Sequence, residues 1–308
     1  MHQETKKTLT FIGIAFFFSW LLIGVYTAFG GEAGSRGASV ILFLGMLIPG
    51  ISAVYVQKFL YKEPLKKPFA LYFKPNSWFF VAWIIPVIII FATNEVGLEL
   101  PWHEYSSEME GFYEKLSETQ SPEQVEQFKS AMDIMPIPFF WILFIQGLIA
   151  GITIMLLFSL CSEIGWRGFL QNQFSHVGFW KSSAMIGLIW GVWSAPVILT
   201  GHIYRDNPLA GLGMMVMYCL LLSPLVSYMR LKARSVVASA IFLGTLTGLA
   251  GIPLVYVKGG SDFTAGINGL AGFIVLAAAN ILLFIYERFL ADTPVIPLDN
   301  NEVNDIVT

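Results

Sequence analysis

An all-α fold, a polytopic bundle of about eight transmembrane helices, is predicted by three observations: an excess of apolar residues, their grouping into long runs, and a one-sided distribution of Lys and Arg. Of the 308 residues, 56% are hydrophobic and 13% are charged, against about 45–50% and about 25% in soluble domains. So few polar side chains cannot cover a globule of this size, so lipid must solvate much of the surface. Lipid offers the backbone no hydrogen-bond partner, which restricts apolar runs to helices or a closed barrel. The runs lack the period-two alternation of barrel strands, which leaves helices.

In order, the runs are 9–29, 38–56, 78–93, 139–160, 182–200, 209–229, 236–257 and 267–286. Most approach the ~20 residues that cross ~30 Å of hydrocarbon. The third is short and is expected to continue past Asn94; the second holds Pro49-Gly50, which predicts a kink rather than a break. The first run is too long for the core of a cleaved signal and lacks a small-residue cleavage site, so it reads as a retained helix.

Orientation follows from the basic residues. Thirteen of the eighteen Lys and Arg fall on the side of the N-terminus, among them Lys6, Lys7, Lys58, Lys62, Lys66, Lys67, Lys74, Arg230, Lys232, Arg234 and Arg288. Both termini are therefore expected in the cytoplasm. On the opposite side lies the longest polar stretch, 95–136, dominated by Glu104, Glu108, Glu110, Glu114, Glu118, Glu123 and Glu126. Residues 121–131 can form a short amphipathic helix on the membrane surface; the stretch is read as a solvated connector in preference to a lid over a partner or substrate. The tail, 292–308, is acidic and is expected to be disordered. The chain thus divides into N-terminal helices with the acidic loop (1–137), a C-terminal core (138–290) and a tail (291–308). Cys161 and Cys219 show no zinc or disulfide spacing.

A charge near hydrocarbon is costly and marks a candidate site. The clearest is Cys161-Ser162-Glu163-Ile164-Gly165-Trp166-Arg167-Gly168, which continues the fourth run. Glu163 and Arg167 are four apart with the acid first, the favourable order for a pair on one helical face. A structural ion pair is the expected role. The fifth run carries Trp190-Gly191-Val192-Trp193-Ser194-Ala195-Pro196, and the seventh carries Leu243-Gly244-Thr245-Leu246-Thr247-Gly248. Small residues at such positions usually serve close helix packing.

Together these segments resemble the CPBP family of CAAX-processing and bacteriocin-related intramembrane proteases, also called Abi. Its first motif is commonly Glu-Glu-(Ile/Leu)-Gly-Trp-Arg-Gly, and Ser162 through Gly168 overlay it at every position but the first. Its second, an aromatic followed four positions later by histidine, falls on Trp190 and Ser194. Its third, histidine followed four later by asparagine or aspartate, falls on Leu243 and Thr247. The resemblance covers about residues 138–286. It implies a fold in which glutamate activates water for hydrolysis of C-terminal peptides of prenylated proteins, with zinc in some active relatives.

Here the motif positions are Ser162, Ser194, Leu243 and Thr247, while Glu163 and Arg167 are kept. The only histidines are His2, His103, His176 and His202, none inside a predicted helix. Hydroxyls are poor zinc ligands and poor bases at neutral pH, and leucine is neither. The expected reading is a pseudoprotease with no cofactor and no metal, in a bacterial plasma membrane, in contact with lipid and with a membrane-protein or C-terminal peptide partner. Nothing points to nucleic acid. Two alternatives stay open: an active endopeptidase with a rearranged site, and a transporter or partner-binding scaffold. A serine nucleophile would need a neighbouring His or Lys, and the chain shows no internal repeat of the transporter kind.

Overall fold

The computed structural model describes residues 3–117 and 120–296; His2, Glu118 and the tail from residue 297 lie outside the described residues. Six helices among the described residues are long and apolar enough to cross a membrane, and a bent pair makes a seventh span when counted as one. The protein is an integral membrane helical bundle.

Helix α1 (Gln3–Ala28) is followed by α2 (Arg36–Val54), which Ser35 starts by accepting a hydrogen bond from the Ala38 backbone N–H. As predicted, α2 passes through Pro49 unbroken and ends in a widened π-helical turn, Tyr55–Leu60. At the basic end Lys7 is buried and pairs with Glu63 at 2.5 Å. Helix α3 (Ser77–Leu98), capped by Asn76, extends past Asn94 as expected.

The acidic stretch is folded rather than a solvated connector. Strand β1 (His103–Tyr105) pairs antiparallel with β2 (Val257–Gly259), His103 opposite Gly259 and Tyr105 opposite Val257. After β1 come α4 (Glu110–Ser117) and α5 (Pro122–Asp133), the amphipathic helix that the sequence predicts, started by a Ser121–Gln124 capping box. Phe112, Phe128 and Phe139 meet edge-on or tilted, with centroids 5.1–5.6 Å apart. Lys115 reaches Asp262 at 2.6 Å and Lys258 reaches Glu110 at 2.9 Å. The stretch is a cap pinned across the acidic end of the bundle.

The Glu110–Lys258 bridge makes the cap pH-dependent. Hydrogen bonding to Lys258 holds the Glu110 carboxyl below its ordinary value, and the same bond raises the Lys258 ammonium. The contribution of Glu110 is present above the usual carboxylate range and is lost as pH falls through its lowered folded value; that of Lys258 is lost only as pH rises through its raised value. The protection of backbone amides 103–105 and 257–259, taken relative to the intrinsic exchange rate at each pH, is therefore expected to be lower below the usual carboxylate range than at neutrality. In Glu110→Gln that acid step should be smaller; an unchanged step would show that other groups set it. The pair is exposed, so the effect is modest.

The fourth predicted run is broken. Helix α6 (Phe139–Gly151) and α7 (Ile154–Glu163) meet at a 45° bend, and the second arm continues through a π-helical segment, Ile164–Leu170, into α8 (Gln171–Gln173). At the bend the Thr153 hydroxyl donates to the Ile149 carbonyl at 2.7 Å, a back-bond that competes with the helix ladder. The fifth run is broken too, into α9 (Phe179–Trp193) and α10 (Ala195–Leu199), 15 and 5 residues long. Pro196 has no N–H and its ring crowds the carbonyl four residues back, so the helix is interrupted at Ser194.

Helix α11 (Pro208–Ala233) packs along α9, and α12 (Val236–Leu249) is the central helix, packed against α3, α6, α7 and α11. A short turn, α13 (Pro253–Tyr256), leads into β2, and α14 (Leu270–Ile285) closes the bundle with a π-helical turn, Tyr286–Leu290. The first residues of the predicted disordered tail are held in place, which corrects that expectation for 292–296. Glu287 accepts from the backbone N–H groups of Val295 and Ile296 and from the Tyr228 hydroxyl, and Lys232 donates to the Thr293 carbonyl.

Candidate functional site

The charged residues singled out by the sequence meet inside the bundle. Glu163 ends α7, Arg167 lies in the π-helical segment, and both are fully buried. Arg167 Nη1 donates to Glu163 Oε1 at 2.7 Å. The guanidinium carbon also sits 4.9 Å from the centre of the Trp190 ring on α9, a geometry in which ring and cation attract.

The glycines around the pair explain how a charged segment fits here. A Cβ on Gly165 would lie 2.9 Å from the Pro49 carbonyl oxygen, and one on Gly168 would lie 3.2 Å from Phe69 Cβ. The segment is thus pressed against α2 and the chain that follows it. Trp166 is buried edge-on between Phe11, at 6.0 Å, and Trp193, at 5.5 Å. Glu163 Oε2, Arg167 Nε and Nη2, Trp166 Nε1 and Ser159 Oγ are buried with no protein hydrogen-bond partner. Polar atoms in this state are costly unless water or a polar ligand meets them.

The substituted positions do not assemble around that pair as a catalytic set. Ser162 is buried and donates back to the Ser159 carbonyl at 3.0 Å; Ser194 donates to the Trp190 carbonyl at 3.1 Å. Both hydroxyls thereby satisfy their own helices. Leu243 is packed in the apolar core and Thr247, one turn on, is exposed. The structure therefore joins Glu163, Arg167 and the aromatic Trp190, places Ser194 one turn beyond Trp190, and turns Thr247 away. What the sequence reading missed is that Trp190 lies against the arginine; the Trp190–Ser194 spacing was visible, its contact across two helices was not.

A hydrolytic metal needs imidazole or carboxylate ligands. Among the described residues no group of three or more His, Cys, Asp or Glu stands close enough to hold an ion. His103 is bound to the Gly97 carbonyl and Thr264 at the acidic end, and His176 contacts the Gln173 carbonyl. With hydroxyls and leucine at the motif positions and Glu163 engaged by Arg167, the residues present do not fit a zinc site.

A membrane-embedded helical bundle with a buried Glu–Arg pair flanked by motif glycines is the class that the fold and site define. Residues 136–249 match the family model described as type II CAAX prenyl endopeptidase Rce1-like. The match takes in all three motif segments. Comparison with curated proteins finds no match.

Proposed function

We propose that the protein is a CPBP-fold pseudoprotease: it lies in a cell membrane with its basic end and both termini in the cytoplasm, and it engages a membrane protein or C-terminal peptide without cutting it. The observation that carries this reading is the state of the one motif acid that remains. Glu163 is fully buried, and one of its two oxygens is bonded to Arg167, which favours a structural ion pair over a general base. The positions where the family has its other acid, its histidines and its amide hold Ser162, Ser194, Leu243 and Thr247. A general base must reach the proton it removes, and none of these side chains supplies one. The orphaned polar atoms beside the pair leave hydrogen-bonding positions that water or a polar group of a partner would satisfy.

The test is a cleavage assay with detergent-purified protein on farnesylated C-terminal peptides, together with elemental analysis. No cleavage and no stoichiometric zinc are expected. Specific cleavage lost on Ser162→Ala or Ser194→Ala would overturn the proposal in favour of a rearranged protease. The combined variant Ser162→Glu, Ser194→His, Leu243→His, Thr247→Asn supplies the donors that the chain lacks, but with Leu243 in the apolar core and Thr247 exposed it is expected to gain less than one zinc per chain.

A further inference from the structure

A second polar cluster, at the basic end, uses none of the motif residues. Lys232 Nζ lies 5.3 Å from the centre of the Trp78 ring, 5.6 Å from that of Tyr228 and 5.8 Å from that of Tyr286. It also stands 3.2 Å from Glu287 Oε1, and both side chains are only 5% exposed. The Tyr228 hydroxyl donates to the same carboxylate oxygen. Trp78 starts α3, Tyr228 and Lys232 lie near the end of α11, and Tyr286 and Glu287 follow α14. These helices pack on one another, so the cage and the carboxylate are held by the bundle itself.

The two carboxylate oxygens divide the work. Oε1 serves the helices, whereas Oε2 accepts from the backbone N–H groups of Val295 at 2.9 Å and Ile296 at 3.0 Å. Lys232 adds a bond to the Thr293 carbonyl at 2.7 Å. Pro294, between the captured carbonyl and the captured amides, has no N–H to satisfy. Val295 and Ile296 are half-buried against the core, while Asp292, Thr293 and Pro294 are exposed. The receiving groups are therefore organised in advance, and the segment they hold rests on three hydrogen bonds and two half-buried side chains. Such a contact opens at far lower cost than the bundle unfolds.

We propose that Glu287 and Lys232 form a peptide-binding site, specific for a carbonyl, a proline and then two apolar residues with free N–H groups, and that Thr293–Ile296 of the same chain occupies it as an exchangeable ligand. The test uses the full chain in detergent. Val295→Pro/Ile296→Pro removes both N–H donors, keeps the segment apolar and empties the site. A fluorescent peptide of residues 291–296, Ala-Asp-Thr-Pro-Val-Ile with an amidated end, should bind this variant. Wild type should bind it about tenfold more weakly, because the tethered segment competes at an effective concentration on the order of mM. Adding Glu287→Gln to the tail variant should weaken binding about tenfold, as expected for lost charge-assisted hydrogen bonds. Equal binding to wild type and the tail variant, no binding to the tail variant, or binding indifferent to Glu287→Gln would overturn the proposal. Wild-type dimers that dissociate in the tail variant would give the site to a second copy's tail and overturn the assignment within one chain. Hydrogen exchange on the unaltered protein needs no variant: the amides of Val295 and Ile296 should be protected, but less than those of 226–230 in α11. Protection equal to that of the helix would make the segment a fixed part of the fold, and none at all would leave the site empty; either result would overturn the proposal.

Discussion

Glu163→Leu is expected to destabilise the protein by about 3–5 kcal/mol, because it leaves the Arg167 guanidinium buried without its counter-charge. Arg167 is fully buried, and two of its nitrogens already lack a protein partner. After the change only the Trp190 face would still attract it, and a cation–π contact contributes about 0.5–2 kcal/mol, too little to offset an unpaired charge. Glu163→Gln should cost less, since an amide oxygen can still accept the Arg167 hydrogen bond. The double variant Glu163→Leu/Arg167→Met removes both charges and should recover most of the loss, as buried pairs replaced by apolar side chains often do. Thermal melting of the detergent-purified protein reads all three. Full recovery in the double variant would assign the pair to folding, in line with a pseudoprotease. A double variant as unstable as the single one would mean that the two residues have separate partners.

That pair was legible in the sequence because both residues sit on one element, four apart. The spans were legible for a similar reason, since hydropathy is local. Features made by distant residues were not. Strand β1 and its partner β2 are three residues each and lie about 150 positions apart in sequence, so neither shows alternation and the acidic stretch reads as a connector. The hold on 292–296 depends on Glu287 and Lys232, which are unremarkable in a basic, polar flank. Leu243 and Thr247 share a helical face by spacing, yet one is buried and the other exposed. The reason is the neighbour: α7 begins beside Gly244, where Met155 and Leu156 backbone atoms come within 3.2 Å of a built Cβ, so one turn further along α12 that cover has ended. The Pro196 interruption was visible as a residue; the bend at Thr153 was not, because nothing in an Ile-Thr-Ile sequence distinguishes a back-bonded threonine from one that stays in the helix.

The crossing of α6 and α12 supplies the other large effect. Gly147 and Gly151 on one helix meet Gly244 and Gly248 on the other, the small-xxx-small arrangement that lets membrane helices approach closely. A Cβ on Gly244 would lie 2.7 Å from the Gly151 carbonyl oxygen, one on Gly248 2.7 Å from the Gly147 oxygen, and one on Gly151 2.6 Å from Thr245 Cα. These neighbours are backbone atoms and cannot rotate away, so the helices must separate. Gly→Ala in a helix interior gains about 1 kcal/mol of propensity, whereas forcing extra volume into close packing costs about 1–3 kcal/mol or more. Clash should win: Gly244→Ala is expected to lower the melting temperature, and Gly244→Leu to leave little folded monomer after detergent extraction. Gly24→Ala is the control, since a Cβ there meets nothing within 4 Å, and it should be neutral or slightly stabilising. The crossing also sets where α12 holds Leu243. Helix α12 packs against α7 and the π-helical segment that carry Glu163 and Arg167, so adding Gly244→Ala to the four motif restorations should lower any zinc those restorations gain. Zinc retained in full by that combination would show that the crossing does not position the motif face of α12.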